Sequence, residues 1–284
     1  MTLNRGTLFQ LFKYAVYSLL TLNIYLFWQE EFQAALLQHP GGVPWRSIFD
    51  AYAATIDTAA WVVLLLMFEL ETYVLEDKHF SRPVRWLLHG ARFVSYAFIL
   101  FAFYGYVTNV IATYDVSVLA DVTDLCALPV TEWSYAVDLD EYAAITAENC
   151  REFGSVGAPY FQYADLPALV DGQGLVEIQR LAWVDAINSI VWILIVVILE
   201  IDVRLQERNK LVGLVYRISY SAKIVLYAIL FAAAVYWGIK GDFVDFWDAF
   251  LWLLAFFFIE MNVVEWREEE LEEQAAKASQ RASA

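Results

Sequence analysis

Two stretches of this chain repeat each other in register. Residues 61–96 align with residues 192–227 over 36 positions without a gap, and a third, partial copy begins at Trp252. In the two complete copies, a glutamate follows the first tryptophan by eight residues and a basic residue follows it by 31. Such a period constrains the fold more than any single motif, because every copy has to form the same structural unit and pack on its neighbours. The matched positions are Trp61, Trp192 and Trp252; Glu69, Glu200 and Glu260; Lys13, Arg92 and Lys223; and Tyr17, Tyr96 and Tyr227.

The composition places these repeats in a membrane. The chain of 284 residues is 60% hydrophobic and 17% aromatic, with a mean hydropathy of +0.49, which is outside the usual range of soluble domains. A helix needs about 20 largely apolar residues to cross a bilayer. The sequence therefore predicts an all-α integral membrane protein, in which six transmembrane helices form three tandem two-helix hairpins around a pseudo-threefold axis. The apolar stretches lie near residues 8–28, 51–71, 91–112, 182–201, 218–239 and 244–264.

The repeat boundaries divide the chain into four segments. From the basic residue to the next tryptophan the distance is 48, 100 and 29 residues in the three units, so the insertions fall in the outer connections. We expect residues 113–181 to form a small extracytoplasmic cap with a short helix from Asp138 to Arg151, with Asp138 or Asp140 as its N-cap and Gly154 as its stop. The segments are 1–77 for the first hairpin, 78–210 for the second with its insertion, 211–266 for the third, and 267–284 for an acidic cytoplasmic tail.

The basic residues predict the orientation in the membrane. Fourteen of the 18 lysines and arginines fall on the side of the N-terminus, and positive residues are retained on the cytoplasmic side of short loops. Both termini are then cytoplasmic, in a plasma membrane of the bacterial inner-membrane type, and the first apolar stretch is a retained helix rather than a cleaved signal. The formal net charge of −16 argues against binding nucleic acid through a basic surface.

Two cysteines, Cys126 and Cys150, lie in the predicted cap. An oxidising compartment would allow them to pair, so we expect a disulfide, with two free thiols as the alternative. Neither their spacing nor any CxxC pattern indicates a metal or redox site.

Charged residues recur inside the predicted spans, where a charge at the bilayer centre costs about 2.5–3.5 kcal/mol. The three basic residues of the repeat lie near the inner start of odd helices, and the three glutamates lie near the inner end of even helices. We therefore predict three cation–carboxylate pairs at one depth. They either lock the bundle as structural contacts or form a gate of breakable ion pairs or proton-exchanging carboxylates. Two residues beyond each glutamate come Glu71, Asp202 and Asn262, which we expect to meet interfacial water.

A second polar set stands four residues before each repeated tryptophan and consists of Asp57, Asn188 and Asp248. No basic residue repeats at that depth, so a carboxylate there would face a water-filled cavity, attract cations or stay protonated. Placement at the level of the lipid headgroups is the alternative. For the repeated tryptophans and tyrosines the sequence predicts a packing layer between helices, and a constriction in a lumen is the alternative interpretation.

The sequence offers few other signals for chemistry. The three histidines, His39, His79 and His89, form no metal or haem motif, and no P-loop, GxSxG or CxxC pattern is present. We therefore expect no cofactor and no metal, and the pattern argues against an enzyme. The leading hypothesis is a conduit for protons or small cations along the bundle axis. The alternative is a non-conducting membrane scaffold that binds a protein partner through residues 113–181 or through the acidic tail.

Overall fold

The computed structural model is mostly helical, at 75%, and a five-stranded sheet accompanies the helices. The prediction of an all-α chain is therefore wrong in this respect. The structure describes residues 5–39, 41–69, 82–119, 122, 124–128, 133–154, 159–164, 166–208 and 210–261.

Long helices form most of the molecule. The helices are α1 (Arg5–Gln38), α2 (Ile48–Ala51), α3 (Ala53–Glu69), α4 (Arg82–Ala112), α5 (Gly172–Glu207) and α6 (Gly213–Lys240), followed by α7 over residues 243–261. Asp171 caps the start of α5, where its carboxylate accepts a hydrogen bond from Gly174 N at 2.7 Å. At the two ends of α6, Gly213 and Gly241 adopt φ values of 57° and 93°, which residues with a Cβ rarely tolerate.

Three of the described helices are long and apolar enough to cross a membrane. They contain the segments Trp86–Ala112, Gly172–Gln206 and Gly213–Lys240. A further crossing results if Trp45–Ala51 and Ala53–Met67, which are bent by 71° at their junction, form one broken span. The membrane class is therefore supported by three or four helices, whereas six spans and their repeat arrangement stay a prediction.

The chain divides into two compact units, residues 1–20 with 230–284, and residues 21–229. In the first unit, the ring of Phe258 on α7 packs edge-on against Phe9 on α1, with centroids 5.0 Å apart. In the second unit, α4 packs against both α3 and α5, and the start of α5 contacts the sheet. The hairpin boundaries expected from the repeat stay a prediction.

The segment between α4 and α5, residues 113–171, contains the sheet and is called the cap. The strands are β1 (Val116–Val118), β2 (Ser134–Ala136), β3 (Tyr142–Ala144), β4 (Tyr160–Tyr163) and β5 (Ala168–Asp171). Their order is β1-β4-β5-β2-β3, and all neighbours are antiparallel except β2 and β5. The strands are only three or four residues long, and this shortness leaves little periodic pattern in the sequence.

The helix expected from Asp138 to Arg151 is absent, because its first residues form a turn between β2 and β3. The carboxylate of Asp138 accepts a hydrogen bond from Leu139 N at 2.7 Å, and Asp138 N donates to the carbonyl of Glu141. This local pairing of aspartate with the backbone stabilises a turn instead of a helix start. The N-cap roles predicted for Asp138 and Asp140 are therefore wrong.

One core cluster of the cap surrounds the cysteine pair. Cys126 and Cys150 are joined by a disulfide with their Cα atoms 5.1 Å apart, which confirms the predicted pairing. Buried side chains on the sheet, including Tyr160, pack around the pair. Gly154 has φ +67°, and a Cβ at this position would lie 2.8 Å from the Tyr160 ring. The backbone therefore approaches the ring closely at a residue without a side chain.

Replacing both cysteines by alanine is expected to destabilise the cap by about 3 kcal/mol, since the disulfide closes a loop with a sequence separation of 24 residues. The measurement is the rate of proteolytic cleavage within the cap of the purified protein. Thiol labelling of the native chain without reductant is the control. Labelling of both cysteines in that control would contradict the pairing.

Candidate functional site

Asp202 of α5 and Lys223 of α6 form a buried ion pair. Lys223 Nζ lies 3.3 Å from Asp202 Oδ2, and the two side chains are 12% and 8% exposed. Ser219 Oγ donates to the same oxygen at 2.6 Å, because Ser219 and Lys223 lie one turn apart on one face of α6. The expectation that Asp202 meets interfacial water is therefore wrong.

Glu200 of α5 is held by two other side chains. The hydroxyl of Tyr96 on α4 donates to Glu200 Oε1 at 2.8 Å, and an Arg204 guanidinium nitrogen lies 3.0 Å from Oε2. The sequence predicts Tyr96 as a packing residue and does not identify this hydrogen bond. The signal that could have found it is the constant spacing of four residues between each repeated cation and its tyrosine.

The remaining charged residues of the repeat lie in both units. Lys13 is buried, and its Nζ is 5.0 Å from the centre of the Tyr14 ring. Glu260 on α7 and Arg92 on α4 are half-buried. Three predicted positions fall outside the described residues, namely the Glu69 side chain, Glu71 and Asn262.

The repeated tryptophans are buried. Trp61 and Trp192 have ring centroids 6.5 Å apart, and the Tyr227 ring meets Trp192 edge-on at the same distance. Trp252, in the other unit, is also buried, as is Tyr17. Aromatic pairs in this geometry contribute about 0.5–1.5 kcal/mol beyond burial of area. The contacts are those that a packing layer requires.

The outer polar set is half-buried at all three positions, Asp57, Asn188 and Asp248. On α5, Asn188 Oδ1 and the adjacent Ser189 Oγ are buried and have no hydrogen-bond partner among the described residues. Buried polar atoms in native proteins are almost always bonded, so such atoms indicate a place for water or an ion. Two consecutive positions of this kind lie inside the most apolar candidate span.

A cavity of about 410 Å³ lies where the cap meets the ends of the helices in the second unit. Its walls come from α1, α2, α4, the cap and the start of α5. The described residues that line it include no lysine and no arginine. The sequence does not identify this cavity, because its walls come from five distant segments. The polar lining residues include Glu31, His39, Asp50, Asn109, Asp140, Tyr142 and Tyr163.

Glu31 joins the wall of the cavity to a helix start. Its carboxyl group accepts hydrogen bonds from Ala54 N at 2.7 Å and Thr55 N at 3.1 Å, and a third from the Thr55 hydroxyl. The first N–H groups of a helix have no partner within the helix. Glu31 of α1 therefore caps α3 at the bend that separates α3 from α2.

Asp50 is placed in the cavity by a close approach of α2 to α4. Thr108 Oγ1 donates to Asp50 Oδ1 at 2.6 Å. One turn earlier on α4, Gly105 lies so close to α2 that a Cβ there would be 2.7 Å from the carbonyl oxygen of Phe49. The absence of a side chain at Gly105 thus sets the position of Asp50.

The cap contributes Asp140, Tyr142 and Tyr163 to the cavity. Burial and the charge of Asp140 raise the pKa of the Tyr142 hydroxyl, which is hydrogen-bonded to Gln38. Burial also raises the pKa of Tyr163, so both phenols stay protonated at neutral pH. Burial lowers the pKa of His39, and its neutral imidazole adds no positive charge.

In the part of the chain that the structure describes, no three histidine, cysteine, aspartate or glutamate side chains converge to hold a metal ion. The carboxyl groups of the cavity are instead distributed around its walls. Such an arrangement is suited to a ligand with hydrogen-bond donors at several points rather than to a chelated metal.

Comparison with family models, with curated proteins and with solved structures finds no match to this chain.

Asp202→Asn is expected to destabilise the protein by about 3–5 kcal/mol, because it leaves the Lys223 charge buried without its partner. The measurement is unfolding by dodecyl sulfate in mixed micelles, followed by tryptophan fluorescence. Arg204→Gln is the control, since Arg204 is 71% exposed and its pair should contribute at most about 1 kcal/mol. Equal effects of the two substitutions would contradict the assignment.

Gly105→Ala is expected to lower stability by about 1–3 kcal/mol, because the added methyl group would collide with the backbone of α2. Gly90→Ala on the same helix is the matched control, as nothing lies within 4 Å of its added Cβ. That control should be neutral or stabilising by up to about 1 kcal/mol. Thermal unfolding of both variants tests the difference, and a stable Gly105→Ala protein would refute it.

Proposed function

We propose that this chain is a multi-pass membrane protein that conducts protons or small cations through its helix bundle. The observation that carries the proposal is the polar content of α5. An 18-residue window of this candidate span has a mean hydropathy of 2.3, yet the span contains the buried oxygen atoms of Asn188 and Ser189 and the ion-paired Asp202. Ionisable groups inside a span are costly, and such groups mark ion and proton pathways in membrane proteins.

The contact between Trp61 and Trp192 forms a closed gate between two polar positions on α5. The outer position is Asn188 and Ser189, and the inner position, called the inner polar level, is Glu200 and Asp202. Trp192 stands four residues after Asn188 and eight before Glu200, and its ring packs against Trp61 and Tyr227. A constriction of apolar rings blocks ions because water leaves it. Conduction would therefore require these rings to move apart.

The inner polar level supplies groups that can exchange partners. Asp202 holds Lys223 and Ser219, while Glu200 holds Tyr96 and Arg204. The two carboxylates are two residues apart on α5 and therefore lie on opposite sides of the helix, Glu200 towards α4 and Asp202 towards α6, so each can exchange partners on its own side. This arrangement supports gating by breakable pairs.

The same proposal places six spans in the membrane, with both termini cytoplasmic and the cap outside a bacterial inner membrane. Two features support this placement. The Cys126–Cys150 disulfide is typical of an oxidising compartment, and the basic residues favour the side of the N-terminus. The cavity under the cap, with its carboxyl groups and no lining lysine or arginine, would then raise the local concentration of cations at the entrance.

The direct test is flux in proteoliposomes, measured with a pH-sensitive dye and with a potassium assay under imposed voltage and pH gradients. Replacing Glu69, Glu200 and Glu260 by glutamine should lower the flux several-fold, since it removes the three carboxylates that the repeat places near the inner ends of its helices. Empty liposomes provide the background. If the native protein gives no flux under any gradient, the conduit is ruled out.

Trp192→Ala is expected to increase the basal leak, because it removes the ring between Trp61 and Tyr227. Trp86→Ala is the matched control, since Trp86 is 79% exposed and lies outside this contact. The same flux assay reports both variants. If Trp192→Ala leaves the leak unchanged, the Trp192 ring does not act as a gate.

A non-conducting scaffold is the second candidate, and the sheet of the cap favours it. β1 and β3 are the outer strands of the sheet, and Val118 at the end of β1 is largely exposed. Outer strands can pair with a strand of another protein. This function predicts stable co-purification with a partner, and it predicts no change in function when Asp57 or Asp248 is replaced.

A further inference from the structure

We propose that the cavity beneath the cap is a binding site for a small organic ammonium ion, held by Asp50, Asp140 and Tyr163. The site would hold this ligand whether or not the bundle conducts, so the inference goes beyond the proposed function. It rests on the charge, size and lining of the cavity and on one buried hydroxyl.

The charge of the lining selects a cation. Asp50 and Asp140 line the cavity from α2 and from the turn between β2 and β3, and none of the lining residues that the structure describes is a lysine or an arginine. Thr108 satisfies one oxygen of Asp50, and a carboxylate has lone pairs for further donors. An ammonium group, with several N–H donors, fits this supply of acceptors.

The size of the cavity excludes a bare metal ion as the best occupant. A volume of about 410 Å³ is many times that of one water, roughly 30 Å³, and falls in the range of small-molecule pockets. Metal ions need several oxygen ligands at short distances, whereas the described residues contain no such cluster of acidic, histidine or cysteine side chains.

Tyr163 supplies an independent observation that a ligand is needed. Its side chain lines the cavity and is only 5% exposed, yet its hydroxyl has no hydrogen-bond partner among the described residues. A buried hydroxyl without a partner is unfavourable, and such a group indicates a place for a bound molecule. An ammonium N–H would donate to this oxygen, and the second tyrosine in the lining, Tyr142, adds aromatic surface beside it.

The remaining walls suit the carbon part of such a ligand. Leu139, Leu166 and Ile178 line the cavity together with alanines. Apolar walls with a few convergent polar groups are typical of sites for small organic molecules. The ammonium could belong to a free amine or to the ethanolamine headgroup of a lipid, and the two sources share the chemistry that the cavity recognises.

Binding is tested by calorimetric titration of n-butylammonium into the full-length protein in maltoside detergent, with sodium and calcium as comparison ions. Butylammonium should bind with measurable heat, and the metal ions should not compete with it. Asp50→Asn should weaken binding about tenfold, and Tyr163→Phe about fivefold, by loss of a charged and a neutral hydrogen bond respectively. Asp140→Asn, on an exposed turn, keeps the test valid if the buried variants fail to fold.

Glu148→Gln is the matched control, because Glu148 is an exposed carboxylate of the cap outside the cavity lining; its affinity should equal that of the native protein. Adding short-chain phosphatidylethanolamine distinguishes the two sources. Displacement of butylammonium indicates the lipid headgroup, and no displacement indicates a free amine. Absence of butylammonium binding, competition by calcium, or native affinity in both Asp50→Asn and Asp140→Asn would overturn the proposal. The titration involves no flux, so its failure is separate from failure of the conduit.

Discussion

The lack of water in the core of a bilayer is the constraint on which this structure depends, since every polar group placed there has to find its partner inside the protein. The Asp202 carboxylate finds its partners in Lys223 and Ser219, and the Glu200 carboxylate finds its partners in Tyr96 and Arg204. Each contact joins helices or successive turns that carry mostly apolar side chains. The ion pairs thus fix which faces of α4, α5 and α6 point inward, while the aromatic layer fills the space between them.

Polar groups at the boundary between the helices and the cap also need hydrogen-bond partners within the protein. There the helix starts and turns expose N–H groups, and the acids of the cavity wall satisfy part of them. Glu31 accepts hydrogen bonds from the amides at the start of α3, while Asp50 accepts one from the Thr108 hydroxyl on α4. The cavity therefore lies where the helices contact the cap, and its lining is partly polar. Its position at this boundary explains why carboxyl groups from separate segments meet there without a compensating lysine or arginine on its walls.

Periodicity in the sequence predicts the phase of a residue but not its partner. The repeat puts Trp61 and Trp192 at the same phase, and both are buried; the location of Cys126 and Cys150 in one outer connection permits the disulfide that forms. It does not decide between Glu200 and Asp202, which are two residues apart and therefore about 200° apart around the helix. The choice depends on where α6 places Lys223, and that is a tertiary property.

The cap was harder to predict for a related reason. Strands of three or four residues carry too few alternations of polar and apolar side chains to be recognised. Aspartate, the residue at position 138, is favoured both in turns and at helix starts. The cavity is less predictable still, because its lining residues come from α1, α2, α4, the cap and the start of α5, which are distant in the sequence. No local pattern in any of these segments indicates the others.

The bend between α2 and α3 has a consequence for biosynthesis. The 71° break exposes amide hydrogens at the start of α3, and their acceptor is Glu31, which belongs to the preceding helix. Before α1 has taken its place, those amides have no acceptor from that helix and depend on water. The bent start of α3 therefore gains its protein acceptor only when α1 lies beside it, and α1 is the helix that the ribosome makes first.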